Sequence, residues 1–212
     1  MMTVIYYTSN REDEKFEEKI RANLLSVIGD LPLISVSQKP IDFGQNICVG
    51  DVGISDANIF RQLMIGCEAA KTPLIATAES DCIYPPTGYF DFVPEDKDMA
   101  YRYTNLYVLQ MSKKGFWKKD YSLCGQVSGR EYLIKWITRR LKKEKVTTWT
   151  TSKLKIKDFF PLWKNFKLFS NELPIINIKT GKGLRRSCKT SKDFTDTLPY
   201  FGHVSNVVDD LF

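Results

Sequence analysis

Apolar residues in the first 80 positions alternate between two periods. Residues 3–7 (TVIYY) are β-branched and aromatic, which marks a strand, and Thr8, Ser9 and Asn10 follow as a polar exit. From 12 to 28 the apolar positions Phe16, Ile20, Leu24, Leu25 and Ile28 recur at helical spacing behind an acidic first turn, and Gly29 stops the run. Residues 31–37 predict a second strand, 46–50 are short and apolar, 56–70 predict a helix capped by Asp56, and 72–78 another strand. Strands alternating with helices argue for an α/β fold with a parallel, doubly wound sheet. Ligands of such sheets sit at the carboxyl ends of the strands. Thr8-Ser9-Asn10 and Glu79-Ser80-Asp81 are therefore expected on one rim.

Beyond residue 86 the pattern loosens. Residues 105–111 and 174–179 read as strands, and 129–145 as a basic helix with Leu133, Ile134, Trp136, Ile137 and Leu141 on its buried side. Residues 159–169 are densely aromatic, and the glycine-bearing basic tail reads as loop. No internal repeat or low-complexity linker divides the chain, so residues 1–212 are read as one domain.

Charge changes this picture. Residues 1–100 hold 8 Lys and Arg against 16 Asp and Glu; residues 101–212 hold 23 against 9. The basic half suits a polyanionic partner, or forms a solvated Lys-rich surface. No apolar run is long enough to span a bilayer, and the start carries no basic segment of a secretory signal. Five cysteines without a CxxC pair suggest free thiols in a reducing cytoplasm. One histidine, His203, makes a zinc site a poor expectation.

Two carboxylates at the exit of a buried strand, Glu79 and Asp81, suit a hard divalent ion such as Mn²⁺ or Mg²⁺ that bridges phosphates. The same triplet also serves as an acidic surface turn. Its surroundings decide the weighting. The runs YYTSNREDEKFEEKIRANLL (6–25), LPLISVSQKPIDFGQNICVGD (31–51), FRQLMIGCEAAKTPLIATAESDCIYPPTGYFDFVP (60–94) and YRYTNLYVL (101–109) carry a resemblance. In that order they resemble the GT-A nucleotide-sugar glycosyltransferases, above all small bacterial and phage-type members. The likeness weakens through LCGQVSGREYLIKW (123–136) and INIKTGKGL (176–184).

The resemblance implies that Glu79-Ser80-Asp81 is the DxD motif, with Asp81 as the better metal ligand and Glu79 either a second ligand or placed nearer the ribose, beside Ser80. It further implies that Thr8, Ser9, Asn10 and Arg11 meet the nucleotide of a UDP-sugar, and that Arg61 and Gln62 reach its base or ribose. Similar proteins complete the metal site with a His-Gly pair after the late strand. Thr180-Gly181 stands there in this chain, leaving His203 as the candidate third ligand. Lys182, Arg185 and Arg186 are placed to neutralise a diphosphate. An inverting transferase needs a carboxylate base, and Glu131, Asp120 and Asp96 are the candidates. The basic second half, with its interleaved tryptophans, suits DNA, and the likeness to phage-type enzymes that glycosylate hydroxymethylated pyrimidines implies DNA bearing such bases as the preferred acceptor. A surface glycan or lipid-linked oligosaccharide is the second expectation, and a non-catalytic nucleic-acid-binding module the third.

Overall fold

A computed structural model describes residues 1–110, 115–150, 166–182 and 192–212. The expected alternation is present. Strand β1 (Met2–Thr8) leads to helix α1 (Glu14–Ile28), strands β2 (Leu33–Ser37) and β3 (Gln45–Cys48), helix α2 (Asp56–Ala69) and strand β4 (Leu74–Glu79). Helix α1 starts where it does because the Asp13 carboxylate accepts from the backbone N–H groups of Lys15 and Phe16; Gly29, at φ 56°, ends it. Helix α2 is capped by Ser55 rather than Asp56: the Ser55 hydroxyl accepts from Asn58 N.

Four further strands are too short to show a period in the sequence. They are β5 (Cys82–Ile83), β6 (Ala100–Tyr103), β8 (Phe116–Lys119) and β9 (Gln126–Gly129); β7 (Leu106–Gln110) falls where expected. Helix α3 (Arg130–Lys143) follows β9 directly, and β10 (Phe166–Phe169) and β11 (Ile175–Lys179) follow in turn. The tail read as loop holds strands β12 (Phe194–Thr195), β13 (Thr197–Leu198) and β14 (Gly202–His203), then helix α4 (Val204–Leu211).

Seven strands form the central sheet in the order β10-β6-β9-β4-β1-β2-β3. All run parallel except β9, which is antiparallel to both β4 and β6. A second sheet, β12-β8-β7-β11-β5, packs its apolar face into the same core as α1 and the first face of the central sheet: Tyr6, Phe16, Ala76, Tyr103, Leu109 and Ile176 belong to one buried cluster. On the opposite face α2 and α3 cover Ile5, Tyr7 and Ile75 with Phe60, Leu63, Leu133 and Ile137. Trp136, expected on the buried side of α3, is half-buried there, its ring 5.5 Å from that of Phe60. No helix among the described residues is long and apolar enough to cross a membrane.

Candidate functional site

Strands β1 and β4 are parallel neighbours, with Tyr7 opposite Glu79. Their exits therefore share one rim, as expected. The Tyr7 hydroxyl donates to Glu79 Oε1 at 2.5 Å, and Glu79 N donates to the Tyr84 hydroxyl at 3.0 Å. Burial, and then the Asp81 charge, push the Glu79 carboxyl above its ordinary range; Lys179, the Tyr7 hydroxyl and Lys119 oppose that shift.

Asp81 is held by one strand of the second sheet. Residues 177 and 179, two apart on β11, present their side chains to the same side. Asn177 Nδ2 donates to Asp81 Oδ1 at 2.7 Å, and Lys179 Nζ to Oδ2 at 2.6 Å; between them Ile178 N donates to the Asp81 carbonyl at 2.6 Å. Both members of the Asp81–Lys179 ion pair are largely shielded, at 17% and 12% side-chain exposure. Burial works against the Lys179 charge, but the Asp81 and Glu79 carboxylates outweigh it and push the ammonium up. The next residue, Thr180, donates its hydroxyl to Glu12 Oε2 at 2.5 Å and accepts from Lys182 N at 3.2 Å. Burial and the Asp81 charge raise the Glu12 carboxyl; Thr180, Lys179 and Lys182 counter them.

The β1 exit is knitted to its surroundings. The Thr8 hydroxyl donates to Glu17 Oε1 at 2.9 Å. Burial pushes the Glu17 carboxyl up to about 7, against the Thr8 hydrogen bond and the Arg21 charge. Asn10 adopts the left-handed conformation at φ 52°, and its Oδ1 accepts from Gln38 N and Lys39 N, each at 2.9 Å. It thus ties the exits of β1 and β2, as asparagine tolerates that conformation. Gln62 does the same from below: it is buried, and its Nε2 donates to Thr8 O and Val36 O at 2.9 and 3.0 Å. It supports the rim instead of facing it. Arg61 turns toward the segment after α3, donating to Val146 O at 2.6 Å with Trp149 beneath its guanidinium. Arg11 is exposed, Ser9 and Ser80 are half-buried, and Lys182 is exposed beside Thr180. Arg185 and Arg186 lie outside the described residues.

Four expected residues do not converge on this rim. Gly129 pairs with Leu74 at the amino end of β4, so Glu131, one residue into α3, lies the length of β4 away from Glu79, about 17 Å. It is exposed and pairs with Arg130. Asp96, just before β6, lies at the same far edge. Asp120 follows β8 at the Leu106 end of the second sheet, whereas Lys179 lies at the Gln110 end. His203 caps α4: its Nδ1 accepts from Ser205 N at 3.2 Å, and its Nε2 sits 3.9 Å from Asp196. That helix rests on α1, where Phe212 stacks on Phe16. In place of these residues the structure brings Glu12, Glu17, Asn177 and Lys179 to the rim. Lys179 was legible as the last residue of a strand, but the family pattern drew attention to Thr180.

The side chains do not fit the expected Mn²⁺ or Mg²⁺. Asp81 already receives an amide and an ammonium, and Glu79 a phenol. A divalent ion about 4 Å from that ammonium meets roughly 8 kcal/mol of repulsion at an effective dielectric of 20. Among the described residues the one group with clustered ligand atoms is Glu79, Cys82 and Cys124, within 4.8 Å of one another. Two of its three atoms are buried thiols. Hard cations take oxygen ligands, not thiols.

No protein-family model matches the chain, and no curated protein matches it by sequence. Solved structures do match. A glycosyltransferase involved in the glycosylation of the major capsid of PBCV-1 superposes with a TM-score of 0.51 at 10% identity, over 83% of this chain and 92% of that one. The glycosyltransferase GlyE of Streptococcus pneumoniae TIGR4 superposes with a TM-score of 0.50 at 10% identity, over 80% of this chain and 45% of that one. The fold is GT-A. Within a GT-A scaffold the shared exit of β1 and β4 is the carboxyl rim of the parallel sheet, the edge at which α/β sheets bind their ligands.

Proposed function

We propose that the protein is a glycosyltransferase that takes its sugar from a nucleotide-diphosphate donor, a UDP-sugar, held at this rim. The observation that supports the reading is the convergence of three strand exits: Thr8–Asn10 from β1, Glu79–Asp81 from β4 and Lys179–Lys182 from β11. They offer what a sugar diphosphate needs: hydroxyls and amides for the nucleoside, and cationic groups for the phosphates. In the reaction the bond between the sugar's anomeric carbon and the diphosphate oxygen breaks. The nucleoside diphosphate leaves with that electron pair, and an acceptor hydroxyl, losing its proton, bonds the same carbon.

The acceptor reading is DNA carrying hydroxymethylated pyrimidines. One placement favours it. Helix α2 crosses back between β3 and β4, so its first turn lies at the rim, and the segment after α3 binds there: Thr150 N donates to Asn58 Oδ1 at 3.0 Å, and Arg61 reaches Val146 O. The basic end of α3, with Arg139, Lys142, Lys143 and Lys145 exposed, therefore adjoins the donor rim.

Incubation with a panel of nucleotide sugars, read as release of the nucleoside diphosphate, tests the donor. Adding hydroxymethylcytosine or hydroxymethyluracil DNA, read by nucleoside mass spectrometry, tests the acceptor. Donor cleavage is expected in the wild type and a loss of at least 100-fold in Asp81→Asn, with the circular dichroism of the fold retained. Turnover retained in that variant removes the rim from the chemistry, and transfer to a glycan or lipid acceptor alone replaces DNA.

A further inference from the structure

We infer that Lys179 does the work of the divalent cation: its ammonium, seated on Asp81, meets the diphosphate, and transfer needs no metal. The inference rests on the donor reading above and goes beyond it, because it says which charge stabilises the leaving group.

Three observations carry it. The first is occupancy. Asp81 lies at the β4 exit, and Lys179 Nζ lies 2.6 Å from one of its oxygens while Asn177 Nδ2 lies 2.7 Å from the other. The second is rigidity. Asn177 and Lys179 come from one strand, β11, which is hydrogen-bonded to β7 over its full length and to β5 beside Asp81. The ammonium is therefore fixed before a donor arrives, the condition under which a charge stabilises a developing anion without reorganisation. The third is capacity. An ammonium has three N–H groups and Asp81 takes one, so two remain for phosphate oxygens. Its side chain is 12% exposed, shielded yet open at the rim.

The surroundings fit a single fixed positive charge. Lys182 stands three residues on, beside Thr180. Glu79, a second acid at the β4 exit, carries its hydrogen bond from Tyr7, and burial favours its neutral form. The nucleoside diphosphate leaves with the electron pair of the broken carbon–oxygen bond, and Lys179 and Lys182 receive the negative charge. The acceptor's proton passes to solvent or base. No oxidant, reductant or metal enters the balance.

Manganese binding and turnover together form the test. Free Mn²⁺ is followed by its electron paramagnetic resonance signal as wild-type protein is added with UDP, and UDP-sugar cleavage is measured with EDTA and with Mn²⁺. Expected is an unchanged free Mn²⁺ signal and a cleavage rate within twofold in EDTA. Lys179→Met is expected to lose at least 100-fold in cleavage and Lys179→Arg to keep a tenth or more. Lys179→Ala, which frees the Asp81 carboxylate, is expected to take up Mn²⁺ more tightly than wild type. Stoichiometric Mn²⁺ uptake by the wild type, abolished by Asp81→Asn, or cleavage abolished by EDTA and restored by Mn²⁺, overturns the lysine. Absence of UDP binding overturns the donor reading instead, and the metal-binding arm on wild type and Lys179→Ala still reports the Asp81–Lys179 pair. Should the Lys179 variants unfold, the two wild-type arms decide alone.

Discussion

At the scale of single residues, the site stores more carboxyl groups than its exposure permits to ionise freely. Glu17 is the clearest case: it is 3% exposed, accepts from Thr8, and has Arg21, Glu12 and Tyr6 as its charged or titratable neighbours. Its carboxyl rises from an ordinary 4.5 to about 7 in the folded protein. The sign follows from proton linkage. Folding favours the protonated form, so this contribution to stability is complete below pH 4.5, shrinks as the pH rises, and is gone above about 7. A change of that size corresponds to about 3 kcal/mol. Glu17→Gln keeps an acceptor for the Thr8 hydroxyl and cannot ionise. Urea unfolding should show the variant level with wild type near pH 4 and more stable by up to about 3 kcal/mol at pH 8. A difference that is constant across that range would assign the effect to packing. The residue scale is also where the sequence was least legible. Glu79 and Asp81 stood out because acids rarely end a buried strand. Lys179 and Asn177 did not, since a polar residue at a strand terminus is ordinary; only the pairing of β11 with β5 reveals what they face.

At the scale of elements, the parallel core was legible because its strands and helices are long enough to show a period. The interleaved strands β6, β8 and β9 were not, for two reasons. Each spans four residues, and β9 is buried in a central sheet although it reads QVSG. Its polar side chains are carried by hydrogen bonds: Gln126 Oε1 accepts from Arg102 Nε at 3.3 Å, and Ser128 donates to Met99 O. Arg102, in turn, is buried against the rings of Tyr121 and Phe166, and burial pushes its guanidinium down to about 9. Hydropathy alone assigns such residues to a loop. The helices carry their own constraint. Gly66 in α2 lets the helix approach β1 so closely that a Cβ would sit 2.6 Å from Ile5 Cγ2. Gly66→Ala gains about 1 kcal/mol in helix propensity. Overpacking against a β-branched side chain locked in a central strand costs about 1–3 kcal/mol and should prevail. Chemical denaturation of the single and double variants checks this. Ile5→Ala removes the clashing methyl, so Ile5→Ala with Gly66→Ala should be more stable than the sum of the two losses. Strict additivity would show that α2 simply shifts outward.

At the scale of the whole molecule, the acidic first half and the basic second half interlock. Strand β11, from the second half, supplies Lys179 to an acid of the first, and α3 returns its basic end to the first turn of α2. The charge asymmetry read from the sequence thus becomes a gradient across one rim, with the acids and Lys179 at the exits of β4 and β11 and the basic end of α3 beyond. Lys142, Lys143 and Lys145 are exposed, and no ion pair among the described residues involves them. Each lysine that contacts a phosphate releases about one counterion, so replacing all three with alanine should lower the slope of log affinity against log salt by about 3. Fluorescence anisotropy with duplex DNA between low and moderate salt measures it. Donor cleavage, proposed to take place at the strand exits, should stay within twofold of wild type. An unaltered salt slope would make the end of α3 a solvated surface. A parallel loss of donor cleavage would mean instead that the helix end shapes the donor pocket, through the Val146 and Thr150 contacts that fasten it to α2.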